Sequence, residues 1–340
     1  MFTATSTATF STSSSANASA SGNTLEEAIN NANTAALNSA KKAIFEPKPQ
    51  WVFTARDTTR SWTSVASNST GDKLVACVYD GYIFTSDDSG VYWTQQDSVT
   101  RYWSSVASNS TGDKLVACVD EEYIYTSDNS GVDWTQRDSG TRFWTSVASN
   151  SAGDKLVACV YDGYIYTSDN SGVDWTQQDN ADSRFWTSVA SNSTGDKLVA
   201  VVSGGYIYTS TDSGVNWTQQ DNSGTRNWLS VASNSAGDKL VACVYGGYIF
   251  TSDNSGVDWT QQNNAGNRSW LSVASNSEGD KLVACVDGLW YIYTSDNSGV
   301  DWRQQNNAGN RKWKKVASNS EGDKLVAVVS NGYIYTGVFS

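Results

Sequence analysis

Residues 86–95, SDDSGVYWTQ, return as SDNSGVDWTQ at 127–136, 168–177 and 252–261, and in near copies at 210–219 and 295–304. A cluster of Asp, Asn, Ser and Gly that ends in Trp marks a tight turn leading into a strand. The stretches between the copies repeat as well. Arg60, Arg101, Arg142, Arg184, Arg226, Arg268 and Arg311 each open an R-x-W, and the interval between them is 41 to 43 residues.

The first six copies each carry four short apolar runs, such as WTSVASNS, KLVACV, YIYTS and VDWTQQ, punctuated by TGD, DG or GG, and DNSG, and the seventh carries the first three. Val, Ile, Tyr and Trp on both faces of these runs fit sheets sandwiched between neighbouring sheets. Four strands in a repeat of about 40–45 residues predict the blade of a β-propeller. The fold expected is all-β, a seven-bladed propeller of four-stranded blades.

The seventh copy ends at YIYTGVFS (333–340) without a fourth strand. FTARDTTR (53–60) aligns with WTQQDSVTR (93–101), so the N-terminal strand is expected to complete the last blade and close the ring. Closure removes two sheet edges that invite aggregation. The predicted organisation is a Ser/Thr/Ala-rich arm (1–22), a helix and linker (23–46), and the propeller (47–340).

Composition narrows the chemistry. The chain has no His, so Ser-His-Asp and Cys-His catalysis, His-ligated metals and imidazole pH switching are excluded. Its net charge is −12, all of it outside residues 1–49, where Lys41, Lys42 and Lys48 balance Glu26, Glu27 and Glu46. Nucleic acid is therefore not an expected partner. No apolar run is long enough to span a membrane. Cys77, Cys118, Cys159, Cys243 and Cys285 share one repeat position with Val201 and Val328, which predicts buried, unpaired thiols.

The turn S-x-D/N-x-G-x-x-W resembles the Asp box of the bacterial neuraminidase repeat, also found in sortilin-type receptors, xyloglucan-cleaving enzymes and the propeller-shaped photosystem II assembly factor. Ser86, Asp88, Gly90 and Trp93 match it, as do Ser210, Asp212, Gly214 and Trp217; Asn129, Asn170, Asn254 and Asn297 replace the Asp elsewhere. The resemblance covers residues from about 50 to 340 and implies a structural hairpin turn on the propeller rim. The sialidase machinery of that family has no counterpart: R-I-P is absent, and the arginines repeat blade by blade. The oxygen-rich DNSGVD lacks the EF-hand order, so neither a metal nor a cofactor is assigned.

Binding is expected where the copies differ. Loops between strands 1 and 2 read NSTGDK, NSAGDK or NSEGDK throughout, whereas loops between strands 2 and 3, and those joining successive blades, diverge. That face offers Tyr79, Asp80, Asp120, Glu121, Glu122, Tyr161, Asp162, Tyr245, Asp287 and Trp290, the last in a one-residue insertion. An aromatic beside Asp suits sugar stacking or a protein contact. The seven arginines open onto the same face. There they either grip an acidic peptide or anionic glycan, or stack on neighbouring rings and pair with loop carboxylates.

In NTLEEAINNANTAALNSAKKAIF (23–45), Thr24 and Glu27 form a capping box, and a narrow Ala-rich stripe contains Leu25 and Ile29. The preceding tract, with Phe2 and Phe10, alternates in a way that suits strand addition to another subunit. The expectation is a non-catalytic propeller docked through residues 1–46 into a larger assembly, a virion or an extracellular surface, with a variable face for a partner. The N-terminal composition also admits a plastid address. Alternatives are a glycan-binding lectin and a divergent glycoside hydrolase.

Overall fold

The computed structural model describes residues 29–34, 36–37, 50–96 and 99–340. The chain divides at Gln50 into two units. In the first, residues 29–34 and 36–37 are helical, within the span expected to form a helix, and Ile29 and Leu37 are exposed. Phe2, Phe10 and Leu25, and with them the strand-adding tract, lie outside the described residues.

Gln50–Ser340 is a β-propeller. The third blade shows the pattern: Arg142–Ser149, Leu156–Gly163, Ile165–Ser168 and Thr176–Gln178 run antiparallel from the axis outward, with Val147 opposite Ala158, Ala158 opposite Tyr166 and Tyr166 opposite Gln177. The second strand is buried on both faces because adjacent blades cover it. Leu156, Val157, Ala158, Cys159 and Val160 are all buried, and all five cysteines are unpaired and buried.

The seven inner strands touch one another in a closed cycle. A backbone relay makes the closure explicit: the amide of Ser69 donates to the Ser110 carbonyl, Ser110 to Ser151, then to Ser193, Ser235, Ser277, Ser320 and back to Ser69, at 2.9–3.1 Å. Seven steps return to the starting residue.

The strand Trp51–Ser67 serves two blades. Its second half is the inner strand of blade 1, and its first half pairs with the end of Lys324–Phe339, Phe53 opposite Gly337 and Thr54 opposite Thr336. The N-terminal segment thus supplies the outer strand of the last blade, in the register expected from FTARDTTR. Backbone bonds between Gln50 and Ser340 extend the seam to the last residue.

Inside each blade the inner Trp is the keystone. Trp62, Trp103, Trp144, Trp186, Trp228, Trp270 and Trp313 are 0–1% exposed. Each meets a third-strand aromatic edge to face, as Trp144 meets Tyr166 at 5.1 Å and 71°. In six blades the Trp of the repeated turn tilts against it, as Trp175 does at 6.3 Å. Offset and edge-on contacts of this kind add about 0.5–1.5 kcal/mol each beyond the area buried.

Candidate functional site

Each inner strand begins at its R-x-W on one face and ends at Ser-Asn-Ser on the other, so the two faces carry different loops. The near-identical loops are hydrogen-bonded within themselves. Asn150 donates to Asp154 Oδ1 at 2.7 Å and accepts from the amides of Asp154 and Lys155 at 3.2 Å. The side-chain amide of Asn150 holds the Asp154 carboxyl below the usual range, as Asn234 does for Asp238; Asp72, Asp113 and Asp196 are lowered first by the hydroxyls of Thr70, Thr111 and Thr194 and then by the matching Asn.

The repeated turn is equally self-contained. Ser168 Oγ donates to Asn170 Oδ1 at 3.0 Å and accepts from the Gly172 amide at 2.9 Å, while Asn170 bonds both the amide and the carboxylate of Asp174. The oxygens and the amide of DNSGVD hold one another, and no group of metal-ligating side chains forms among the described residues. Ser171 and Gly172 both have positive φ, at 59° and 81°, so Ser shares with Gly the left-handed turn.

On the opposite face, the R-x-W arginines stitch blade to blade. Arg101 pairs through its backbone with Gly81 of the previous blade, Arg184 with Gly163, Arg311 with Trp290, and Arg60 with Gly332 across the seam. The loop partner is usually Gly because a Cβ at Gly163 would lie 2.6 Å from Val160 Cγ1. Glu122 in blade 2 and Trp290, beside the inserted residue of blade 6, take that place instead.

Every arginine of the set has its guanidinium carbon over the third-strand aromatic of its own blade, from Arg60 over Phe84 at 4.3 Å to Arg268 over Tyr293 at 4.8 Å, with Arg101, Arg142, Arg184, Arg226 and Arg311 between. Arg60 also pairs with Asp57, Arg184 with Asp182, and Arg101 with Tyr125 Oη and, at 3.7 Å, Glu122. Their geometry is that of stacked, partly covered groups.

What remains outward is aromatic and acidic. Tyr79 stacks on Tyr102 and Tyr161 on Phe185, each pair with centroids 5.1 Å apart and all four rings exposed. Asp80, Glu121 and Asp162 stand at the loop tips of three consecutive blades with φ of 51–62°, a conformation adopted by Gly in the next three blades and by Asn331 in the last. Burial, and after it the charge of Glu121, push the Asp120 carboxyl above its ordinary value. Tyr245 reaches Asp287 at 3.4 Å, and Trp290, half-exposed, lies 5.9 Å from the Arg268 guanidinium.

Blades 1 to 3 therefore bring Tyr79, Asp80, Glu121, Glu122, Tyr161 and Asp162 into one crescent, whereas Tyr245 and Trp290 stand apart on blades 5 and 6. Tyr102 and Phe143 of blades 2 and 3 and Phe185 of the adjoining blade 4, all exposed, complete the crescent, and the sequence does not single them out. The signal for them is the middle residue of R-x-W, the one position of that motif that varies.

The sequence matches no protein-family model and no curated protein. Its fold matches solved structures: YCF48 bound to D1 peptide (TM-score 0.68, 16% identity, 85% of this chain and 97% of that one) and the Cps50 (Swd1) β-propeller domain of Myceliophteria thermophila (0.69, 12%, 85% and 100%). A GH74 xyloglucanase from Xanthomonas campestris matches at TM-score 0.68 and 13% identity over 85% of this chain and 53% of its own. At these identities the likeness establishes the β-propeller fold.

Proposed function

We propose that this chain is a non-catalytic, Asp-box-type propeller whose variable face binds a protein partner through the crescent of blades 1 to 4. One observation carries the reading: rings exposed on that face stand in cross-blade pairs beside carboxylates, while the other face spends its polar groups on itself. Paired aromatics offer large rigid contact area at low entropic cost. The surrounding Asp and Glu favour a partner segment bearing Lys or Arg. The structural neighbour YCF48, seen with a peptide, supports peptide recognition on such a scaffold. Docking through residues 1–46 belongs to the same proposal, with exposed Ile29 and Leu37 as the apolar contact.

The test is affinity capture from the native source with the wild-type chain and with Tyr79→Ser/Tyr161→Ser. A partner present with the first and absent with the second supports the reading; equal recovery defeats it. Deleting residues 1–46 should abolish co-assembly while leaving the propeller folded. Trp290 beside Arg268 favours a second reading, glycan stacking, and a glycan array signal lost in Trp290→Ala would establish it. Turnover of chromogenic glycosides that vanishes in Glu121→Gln would instead make the protein a hydrolase.

A further inference from the structure

Six inner strands carry Ser one residue before the buried Val, and the seventh carries Lys315. In the first six, the hydroxyls of Ser64, Ser105, Ser146, Ser188, Ser230 and Ser272 each accept the Val amide of the following blade at 3.2–3.4 Å. They form a collar around the axis. Lysine has no acceptor, so the link from blade 7 to Val65 is missing.

The Lys315 side chain is enclosed by protein yet keeps some water-accessible surface, the condition of a group inside a narrow lumen. The thiols of Cys285, Cys243 and Cys159 feel its charge, and these belong to blades 6, 5 and 3. Lys315 holds the collar position on the inner strand of blade 7, between Ser272 of blade 6 and Ser64 of blade 1 in ring order, where the seven inner strands meet around the axis. Among the described residues none forms a hydrogen bond or ion pair with it, and no carboxylate is among the groups that act on it. Lys314 precedes it in the strand bulge, and its charge also reaches Cys285.

A cation so enclosed, with no counter-charge, is costly to the fold. Burial lowers the affinity of Lys315 for its proton accordingly. The lumen opens at the Ser-Asn-Ser end into a cavity of about 170 Å³ lined by all seven blades, including Ser318 and Asn319. Ser318 stands three residues from Lys315 on the same strand, about 10 Å away at the usual strand rise. The approach is lined with hydroxyls and amides, neutral groups that a carboxylate passes without repulsion.

We propose that the propeller lumen is an anion site in which Lys315, assisted by Lys314, binds a single small carboxylate that supplies the missing counter-charge. The site is separate from the crescent, so either assignment stands or falls alone.

The test is the melting midpoint of the full chain titrated with formate at constant ionic strength, gluconate being the bulky reference anion. The wild type should gain several degrees in a saturable manner. Lys315→Ser, which restores the residue of the other six blades, should melt no lower than the wild type without formate and lose the gain. Lys314→Ser should keep it at least ten-fold weaker in formate affinity. Should Lys315→Ser fail to fold, Lys315→Met serves, with broadening of the ¹³C-formate resonance as the readout. A second arm compares tetraglycine as free acid and as amide: preference for the acid assigns the carboxylate to a chain terminus, and response to formate alone to a free small acid. An equal formate response in wild type and Lys315→Ser, or no response to either probe, overturns the proposal.

Discussion

The two faces of this propeller are built from the same repeat and behave as opposites. At the Ser-Asn-Ser end, seven near-copies of one loop bond to themselves, and the backbone relay from Ser69 to Ser320 ties them into a ring. At the R-x-W end, the backbone stitching is also repeated, but the side chains above it change from blade to blade. Where the shape depends on a side chain the copies agree, and where the backbone alone holds the shape they differ. Divergence therefore marks the surface on which side chains are released for contact.

The largest disturbance should come from the seam. A chain beginning at Arg60 lacks the outer strand of the last blade, and it should lose its single cooperative melting transition and aggregate, as followed by calorimetry and light scattering. Melting like that of the full chain would show that closure does not hold the faces in place.

Next in size is the keystone. Trp144→Ala should cost about 3–5 kcal/mol in denaturant unfolding, since the ring is fully buried between Tyr166 and Trp175. Asn150→Ala on the invariant face should cost about 1–3 kcal/mol, because two backbone amides lose their acceptor. By contrast, Tyr161→Ser/Phe185→Ser on the variable face should change stability by no more than about 0.5 kcal/mol per site. A comparable cost at both faces would erase the distinction.

The smallest effect is electrostatic and differs in sign between the faces. Asp154 has its folded pKa lowered, so its contribution is present above the unfolded value of 3.8 and is lost as pH falls through the folded value. Asp120 has its folded pKa raised, so it favours the folded state below 3.8 and this advantage is lost as pH rises through the folded value. Asp154→Asn should flatten the acid-side loss of stability, and Asp120→Asn should relieve the penalty near neutral pH.

Much of the architecture was legible because R-x-W spacing counts blades and FTARDTTR betrays the missing strand. The interchange of Cys with Val likewise foretold buried thiols. The arginine arrangement was left between two roles, since only the fold brings Arg142 over Tyr166 of the same blade. Phe143 escaped notice because an aromatic next to a buried Trp reads as core until the bulge after the Trp and the cross-blade pairing with Asp120 are known. Lys315 is a single departure among seven copies, and its meaning depends on seven strands meeting at an axis.

The most direct test of the account sets the variable face against the rim in a single capture experiment, with Tyr161→Ser/Phe185→Ser for the face and Val132→Ser/Val173→Ser for the exposed turn valines of the rim. The account predicts that the partner is lost from the first variant and retained by the second, both remaining folded. Loss from the rim variant with retention by the crescent variant would contradict it.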